Sequence, residues 1–345
     1  TLLCHPLSIS MDKSAPPFED TYRALLHAPP HENPNHTPSD GGDCELPIID
    51  LSRLTAGEAA RADCIRALTE AFKEWGFFQA VNHGVPRRAL QTLLDELRPV
   101  FRRPFPDKAA GNVLRLQGTD GLYRWGNPAA TSRRQVSWSE AFHVPVKDIS
   151  SVMAGYGNLR WSAQVFAEKA GGMARMLAEV LAVGVGAAAA APFFRESFSD
   201  GSCYLRVIRY PASGFDVLGV VPHTDTDLMT VVAQEQGGLE VEKQGRWLGV
   251  RPNPGALVVN IGDLFQAWSN GVYRSVRHRV LTNPAAERFS AAYFYCPADH
   301  ARIQGDGAPT APPLYRAFTY GEYKEQVRRD VQETGDKVGL PRFLL

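Results

Sequence analysis

LGVVPHTDTDLMTVVAQEQGGLEVEKQGRWLGV, residues 218–250, sets four short apolar runs between polar turns. The runs at 218–221, 229–234, 239–241 and 247–250 are rich in Val, Leu and Trp. Gly, Gln and Asp punctuate them, the texture of closely spaced strands. Reading outward adds 204–209 on one side and 256–261, 275–281 and 289–296 on the other. About eight short strands in one stretch favour a double-sheet jelly roll or barrel, because a parallel α/β sheet would alternate its strands with helices. The segment 199–300 is therefore expected to be the core of a mainly β protein with helices.

Upstream, 46–198 reads as a mixed helix and strand region. Leu46-Pro-Ile-Ile-Asp-Leu is a short strand, and 59–74 repeats Cys64, Leu68, Ala71 and Phe72 at helical spacing before Gly76 stops it. Residues 77–81 alternate like a strand, Asn82-His83-Gly84 makes a turn, and 87–101 resumes helical spacing. A long proline-free helix over 160–185 is expected to brace a sheet. Residues 29–42 concentrate Pro, Asn, His and Gly without periodicity, and 1–45 is expected to be a flexible leader. Met11 is expected to be the natural start. Residues 301–345 are expected to form a helical segment packing on the core.

The 345 residues carry 37 Lys plus Arg against 37 Asp plus Glu, without the basic surplus that phosphate backbones require. Nucleic acid is not expected as a partner. The 44% hydrophobic and 21% charged residues are the balance of a folded globular protein. Cys4, Cys44, Cys64, Cys203 and Cys296 are scattered and form no CxxC pair, which argues for a reducing compartment, the cytoplasm with the nucleus left open. No apolar run reaches the length of about 20 residues that a membrane span needs, no GxGxxG or P-loop occurs, and oligomeric state is not readable.

His223 and Asp225 end the run that starts at Leu218, and side chains at i and i+2 share one strand face. Nine histidines make a lone HxD pair weak evidence. A third residue, His278, stands in another expected strand. Two imidazoles and a carboxylate on one face leave three positions open on an octahedral ion, the facial triad of non-haem Fe(II) oxygenases. Ten residues on, Arg288 and Ser290 repeat the i, i+2 relation, and an Arg fork with a hydroxyl suits a dicarboxylic co-substrate. Read alone, Arg288 is more often a surface ion-pair partner. The weight lies in the ordered set.

That set, with Trp75-Gly-Phe-Phe-Gln-Ala-Val-Asn-His-Gly84 and Asn260-Ile-Gly-Asp263, resembles the plant 2-oxoglutarate- and Fe(II)-dependent dioxygenases from Leu46 to the C-terminus. The resemblance implies a double-stranded β-helix with a helical N-terminal region, and iron held by His223, Asp225 and His278. It implies that Arg288 and Ser290 grip the distal carboxylate of 2-oxoglutarate with Tyr210 adding its hydroxyl, O2 as co-substrate and ascorbate as reductant. Tyr123-Arg-Trp-Gly-Asn-Pro128, Ser139-Glu-Ala-Phe-His-Val-Pro145, Phe265-Gln-Ala-Trp-Ser-Asn270 and Glu333-Thr-Gly-Asp-Lys-Val-Gly-Leu340 look like gibberellin 2-oxidases acting on twenty-carbon gibberellins. That implies a small-molecule substrate, a gibberellin hydroxylated at the 2β position. A dioxygenase for another hormone or metabolite, and a jelly roll that binds without turnover, stay open.

One residue departs from the family pattern: Ile208 stands two before Tyr210, where the family usually has Asn. Tyr123 and Trp125 are candidates to line a pocket for a rigid diterpenoid, with core filling an equal alternative. His83 is expected to serve its turn, His143 to pack, and Arg124 to lie at the surface. His27, His31 and His36 fall in the leader.

Overall fold

The computed structural model describes residues 13–27, 41–116, 121–188, 192–197, 202–307 and 311–345. The chain opens with α1 (Phe18–Leu26), β1 (Gly41–Cys44), β2 (Ile48–Asp50), α2 (Glu58–Glu74), β3 (Phe77–Val81), α3 (Arg87–Phe101) and α4 (Phe105–Ala109). β4 (Tyr123–Trp125), β5 (Glu140–Pro145), α5 (Ile149–Val152), the long α6 (Gly157–Gly184) and α7 (Phe193–Glu196) follow. Then come β6 (Tyr204–Tyr210), β7 (Leu218–His223), β8 (Met229–Gln234), β9 (Leu239–Lys243), β10 (Arg246–Val250) and β11 (Leu257–Ile261). After α8 (Asp263–Trp268), β12 (His278–Leu281) and β13 (Arg288–Tyr295) complete the core, and β14 (Arg302–Ile303), β15 (Phe318–Thr319) and α9 (Tyr320–Thr334) end the chain.

All eight runs expected between 204 and 296 become strands. The one over 275–281 starts late, at His278, because the Ser275 N–H donates to the Gln266 side chain instead of a neighbouring strand. The strands form an eight-stranded sheet, β2-β3-β11-β8-β13-β6-β5-β4, and a five-stranded one, β1-β10-β9-β12-β7, facing each other as a jelly roll. Alternation along β6 shows how the layers meet. Leu205 and Val207 belong to the core shared with α3 and α6, whereas Ile208 and Tyr210 join Leu239, Val241 and Val280 of the smaller sheet.

α6 covers the outer face of the large sheet with buried Ala163, Phe166, Ala170, Ala174, Leu177 and Leu181, spaced three and four apart. Its small residues permit close approach. At Gly171 an added Cβ would lie 2.7 Å from the Tyr293 hydroxyl on β13. Among the described residues no helix is long and apolar enough to cross a membrane.

Two parts of the expected flexible leader are ordered. α1 buries Phe18, Tyr22 and Leu26, an i, i+4, i+8 stripe, and Phe18 stacks on Trp138 at 4.6 Å. β1 pairs in parallel with β10. The expectation of flexibility over 1–45 is corrected for these segments: prolines flank α1 in the sequence, but its apolar stripe finds a partner in the β core. His27 follows α1 beside Phe215, while Met11, His31 and His36 lie outside the described residues.

Candidate iron and 2-oxoglutarate site

β7 ends at His223 and β12 begins at His278, and their antiparallel register sets these two residues side by side. Asp225 follows β7 by two residues. The ligating atoms of His223, Asp225 and His278 all lie within 4.8 Å of one another. Each Nε2 is 3.7 Å from Asp225 Oδ1. His223 Nδ1 meets the Val221 carbonyl at 2.9 Å and His278 Nδ1 the Val276 carbonyl at 3.1 Å. A carbonyl only accepts, so each Nδ1 carries a proton and each Nε2 is turned to the carboxylate. Burial, then the neighbouring His278, pushes the His223 pKa down to about 3.

The other oxygen of Asp225 is occupied: Oδ2 accepts from Thr230 Oγ1 at 2.6 Å and Asn260 Nδ2 at 2.8 Å. That leaves Oδ1 for a metal. Burial alone would raise the Asp225 pKa, but the two imidazoles and these bonds outweigh it and hold it at about 2. Thr230 Oγ1 also lies 2.9 Å from Asp227 Oδ2, and a hydroxyl has only one proton to share between two carboxyls. Burial, then repulsion from Asp225, lifts the Asp227 carboxyl well above the usual range. Thr230 Oγ1 thus bridges the two carboxyls, holding Asp225 from the side away from the imidazoles.

The same cavity reaches Arg288 and Ser290 on β13, with Tyr210 opposite Arg288 in the β6 register. The Arg288 guanidinium stacks over the Tyr210 ring at 4.7 Å, its Nη2 donates to Gln234 Oε1 at 2.6 Å, and Tyr210 Oη lies 3.4 Å from Ser290 Oγ. Arg288 Nη1 is buried without a partner. An orphaned guanidinium N–H beside two hydroxyls is a cradle for a carboxylate. Val220, Val232, Leu239 and Val280 line the wall between the two ends. Two imidazoles presenting Nε2 and one carboxylate fit a divalent iron with positions left open.

Residues 202–297 match the 2OG-Fe(II) oxygenase superfamily, and 46–165 match the family described as non-haem dioxygenase in morphine synthesis N-terminal. Gibberellin 2-beta-dioxygenase 8 of Arabidopsis thaliana is 45% identical over 95% of this chain and 98% of its own length. Gibberellin 2-beta-dioxygenase 6 of Oryza sativa subsp. japonica is 45% identical over 95% of each chain. This chain belongs to the 2-oxoglutarate- and Fe(II)-dependent oxygenases. Among solved structures, JOX2 in complex with 2OG, Fe and JA superposes with a TM-score of 0.71 at 28% identity, over 89% of this oxygenase and 92% of that chain.

The oxygenase's cavity thus gathers every residue expected to hold iron or 2-oxoglutarate. Tyr123 and Trp125 are not among its lining residues. β4 is the outermost strand of the large sheet, where the Tyr123 hydroxyl donates to buried Glu140 and Trp125 packs edge-on against Phe18 and Phe105. Tyr123 is buried and Trp125 packs half-buried against the core, the core-filling alternative of the two that the sequence left equal. His83 serves its turn, its Nδ1 accepting from the Val85 N–H at 3.1 Å. His143 stacks on Tyr204 at 5.6 Å, and the Arg124 guanidinium donates to the carbonyls of Gly121 and Tyr123. Sequence reasoning assigned no role to Thr230, Asn260, Gln234 or Arg206, all of which line the cavity. Strand parity alone would have flagged Arg206, two positions before Ile208 and four before Tyr210.

Proposed function

We propose that this oxygenase hydroxylates a gibberellin at the 2β position. In this reading His223 Nε2, His278 Nε2 and Asp225 Oδ1 hold the iron, while Arg288, Ser290 and Tyr210 hold the distal carboxylate of 2-oxoglutarate. The observation that carries the substrate is 45% identity sustained over 95% of the chain with gibberellin 2-beta-dioxygenases, against 28% with JOX2. When bound, iron and 2-oxoglutarate supply the oxidising chemistry: one atom of O2 enters succinate as CO2 leaves, and the other replaces a hydrogen on the substrate as hydroxyl.

The chain's own residues do the positioning. Thr230 and Asn260 fix the Asp225 carboxylate, the Val221 and Val276 carbonyls orient the imidazoles, and Phe77 with its aliphatic neighbours keeps water from the cavity wall. Free Cys44, Cys64, Cys203 and Cys296 support a cytoplasmic setting.

The test incubates the protein with Fe(II), 2-oxoglutarate, ascorbate, O2 and a mixture of nineteen- and twenty-carbon gibberellins, following products and succinate by mass spectrometry. Substrate-dependent gain of one oxygen matched by succinate is expected. Succinate without a hydroxylated gibberellin would discard the hormone, and neither product from iron-loaded protein would discard turnover.

A further inference from the structure

Arg206 stands in the middle of β6 and lines the same cavity as the iron triad. Its cross-strand neighbours are His143 on β5 and Ala292 on β13, so neither flank offers an anion. His143 is neutral: burial, then the cations Arg206 and Arg124, push its pKa down to about 3. Arg206 Nε is buried and has no hydrogen-bond partner. Among the described residues, the two fully buried arginines outside the cavity are matched by acids, Arg209 by Glu140 and Glu287, and Arg279 by Glu240. Half-buried Arg206 has no such acid, and it lines the cavity of the iron triad.

Charge bookkeeping points the same way. In the loaded site the two charges of Fe(II) and that of Arg288 are balanced by Asp225 and the two carboxylates of 2-oxoglutarate. Arg206 is then a surplus cation at the wall of a cavity lined largely by apolar side chains, a state that invites an anion.

We propose that Arg206 recognises the substrate by taking its carboxylate in the guanidinium fork. The proposal deepens the gibberellin reading and rests on it only for the identity of the acid. A carboxylate could also come from 2-oxoglutarate, but its iron-end carboxylate is claimed by the metal and its distal one by Arg288. Four residues of strand, about 13 Å, separate Arg206 from Tyr210, more than the five-carbon skeleton spans.

The test loads full-length protein with Mn(II) and 2-oxoglutarate and titrates, by calorimetry, a gibberellin acid and its methyl ester. Indole-3-acetic acid and jasmonic acid with their esters are titrated in parallel. Wild type is expected to prefer one acid over its ester by at least about tenfold. Arg206→Met is expected to weaken that acid by about 10- to 100-fold while leaving the ester and 2-oxoglutarate within about twofold. Should Arg206→Met fail to fold, Arg206→Lys decides: the acid weakens because the fork is lost, and the ester does not.

Equal losses for acid and ester mean a packing role and overturn the proposal. So does a loss confined to 2-oxoglutarate, and so does a wild type that prefers no acid to its ester. A preference for indole-3-acetic or jasmonic acid, with none for the gibberellin, sinks the gibberellin reading and leaves Arg206 as the carboxylate anchor.

Discussion

At Gly262 a methyl group would sit 2.2 Å from both the backbone oxygen and Oδ1 of Asp227. The backbone there is ordinary, φ −97°, so the demand is purely steric. Gly262→Ala must push apart the turn in which the Asp263 N–H bonds the Asp225 carbonyl. A loss of about 3 kcal/mol is expected in urea unfolding, together with weaker metal binding in chelator competition. Unchanged metal affinity would separate this turn from the iron site. Ile208 lies opposite Ser290 on the cavity face. Ile208→Asn is expected to tighten apparent 2-oxoglutarate affinity by restoring a polar contact, and titration showing weaker binding would count Ile208 as packing.

His143 gives a pH effect. Its folded pKa of about 3 lies below the unfolded value near 6.5, so between them the unfolded chain binds a proton that the folded chain refuses. Stability is therefore whole above the unfolded pKa and falls as pH drops toward 3. His143→Phe is expected to lower the slope of unfolding free energy against pH by up to about 1.4 kcal/mol per unit, measured by urea titrations near pH 6, 5 and 4. The candidate iron and 2-oxoglutarate residues were legible from two i, i+2 pairs, His223 with Asp225 and Arg288 with Ser290, to which the family resemblance added order, with His278 and Tyr210. The roles of Thr230 and Asn260 were not, because their partner Asp225 lies in the turn after another strand and local spacing carries no record of pairing.

Among the elements, β5 and α4 share a buried cluster: Lys108 donates to Glu140 and to the Ser14 and Phe101 carbonyls, and Arg209 closes the other side of Glu140. Removing one member leaves a buried carboxylate short of a partner. Lys108→Met is expected to cost about 3 kcal/mol by thermal or urea unfolding, part of which Glu140→Gln in the same chain restores. A double variant no better than the single would mean that packing dominates. The strands of the core could be read because Val-rich runs alternate between turn residues. β4 and β5 were quoted only as motifs, since a three-residue strand such as Tyr123–Trp125 is too short to show a period. α1 was overlooked because its stripe of Phe18, Tyr22 and Leu26 lies between prolines at 16 and 17 and at 29 and 30.

Across the whole molecule, a long helix braces one face of the large sheet, and the functional cavity opens between that sheet and the smaller one. The two histidines come from neighbouring strands of the smaller sheet, far apart in sequence, and the aspartate from the turn beyond one of them. A metal binding the folded chain and not the unfolded one stabilises by mass action. Mn(II) at a hundredfold over its dissociation constant is expected to add about 2.7 kcal/mol. The readout is a rise in melting temperature that His278→Ala abolishes; an equal rise in that variant would place the stabilising metal elsewhere.

That paired register has a consequence for the survival of the protein itself. Strands held together at the cavity by a bound metal would be less open to proteases than the same strands without it. Digestion is therefore expected to be slower with Mn(II) than after chelation, and equal rates would detach the protein's lifetime from metal supply.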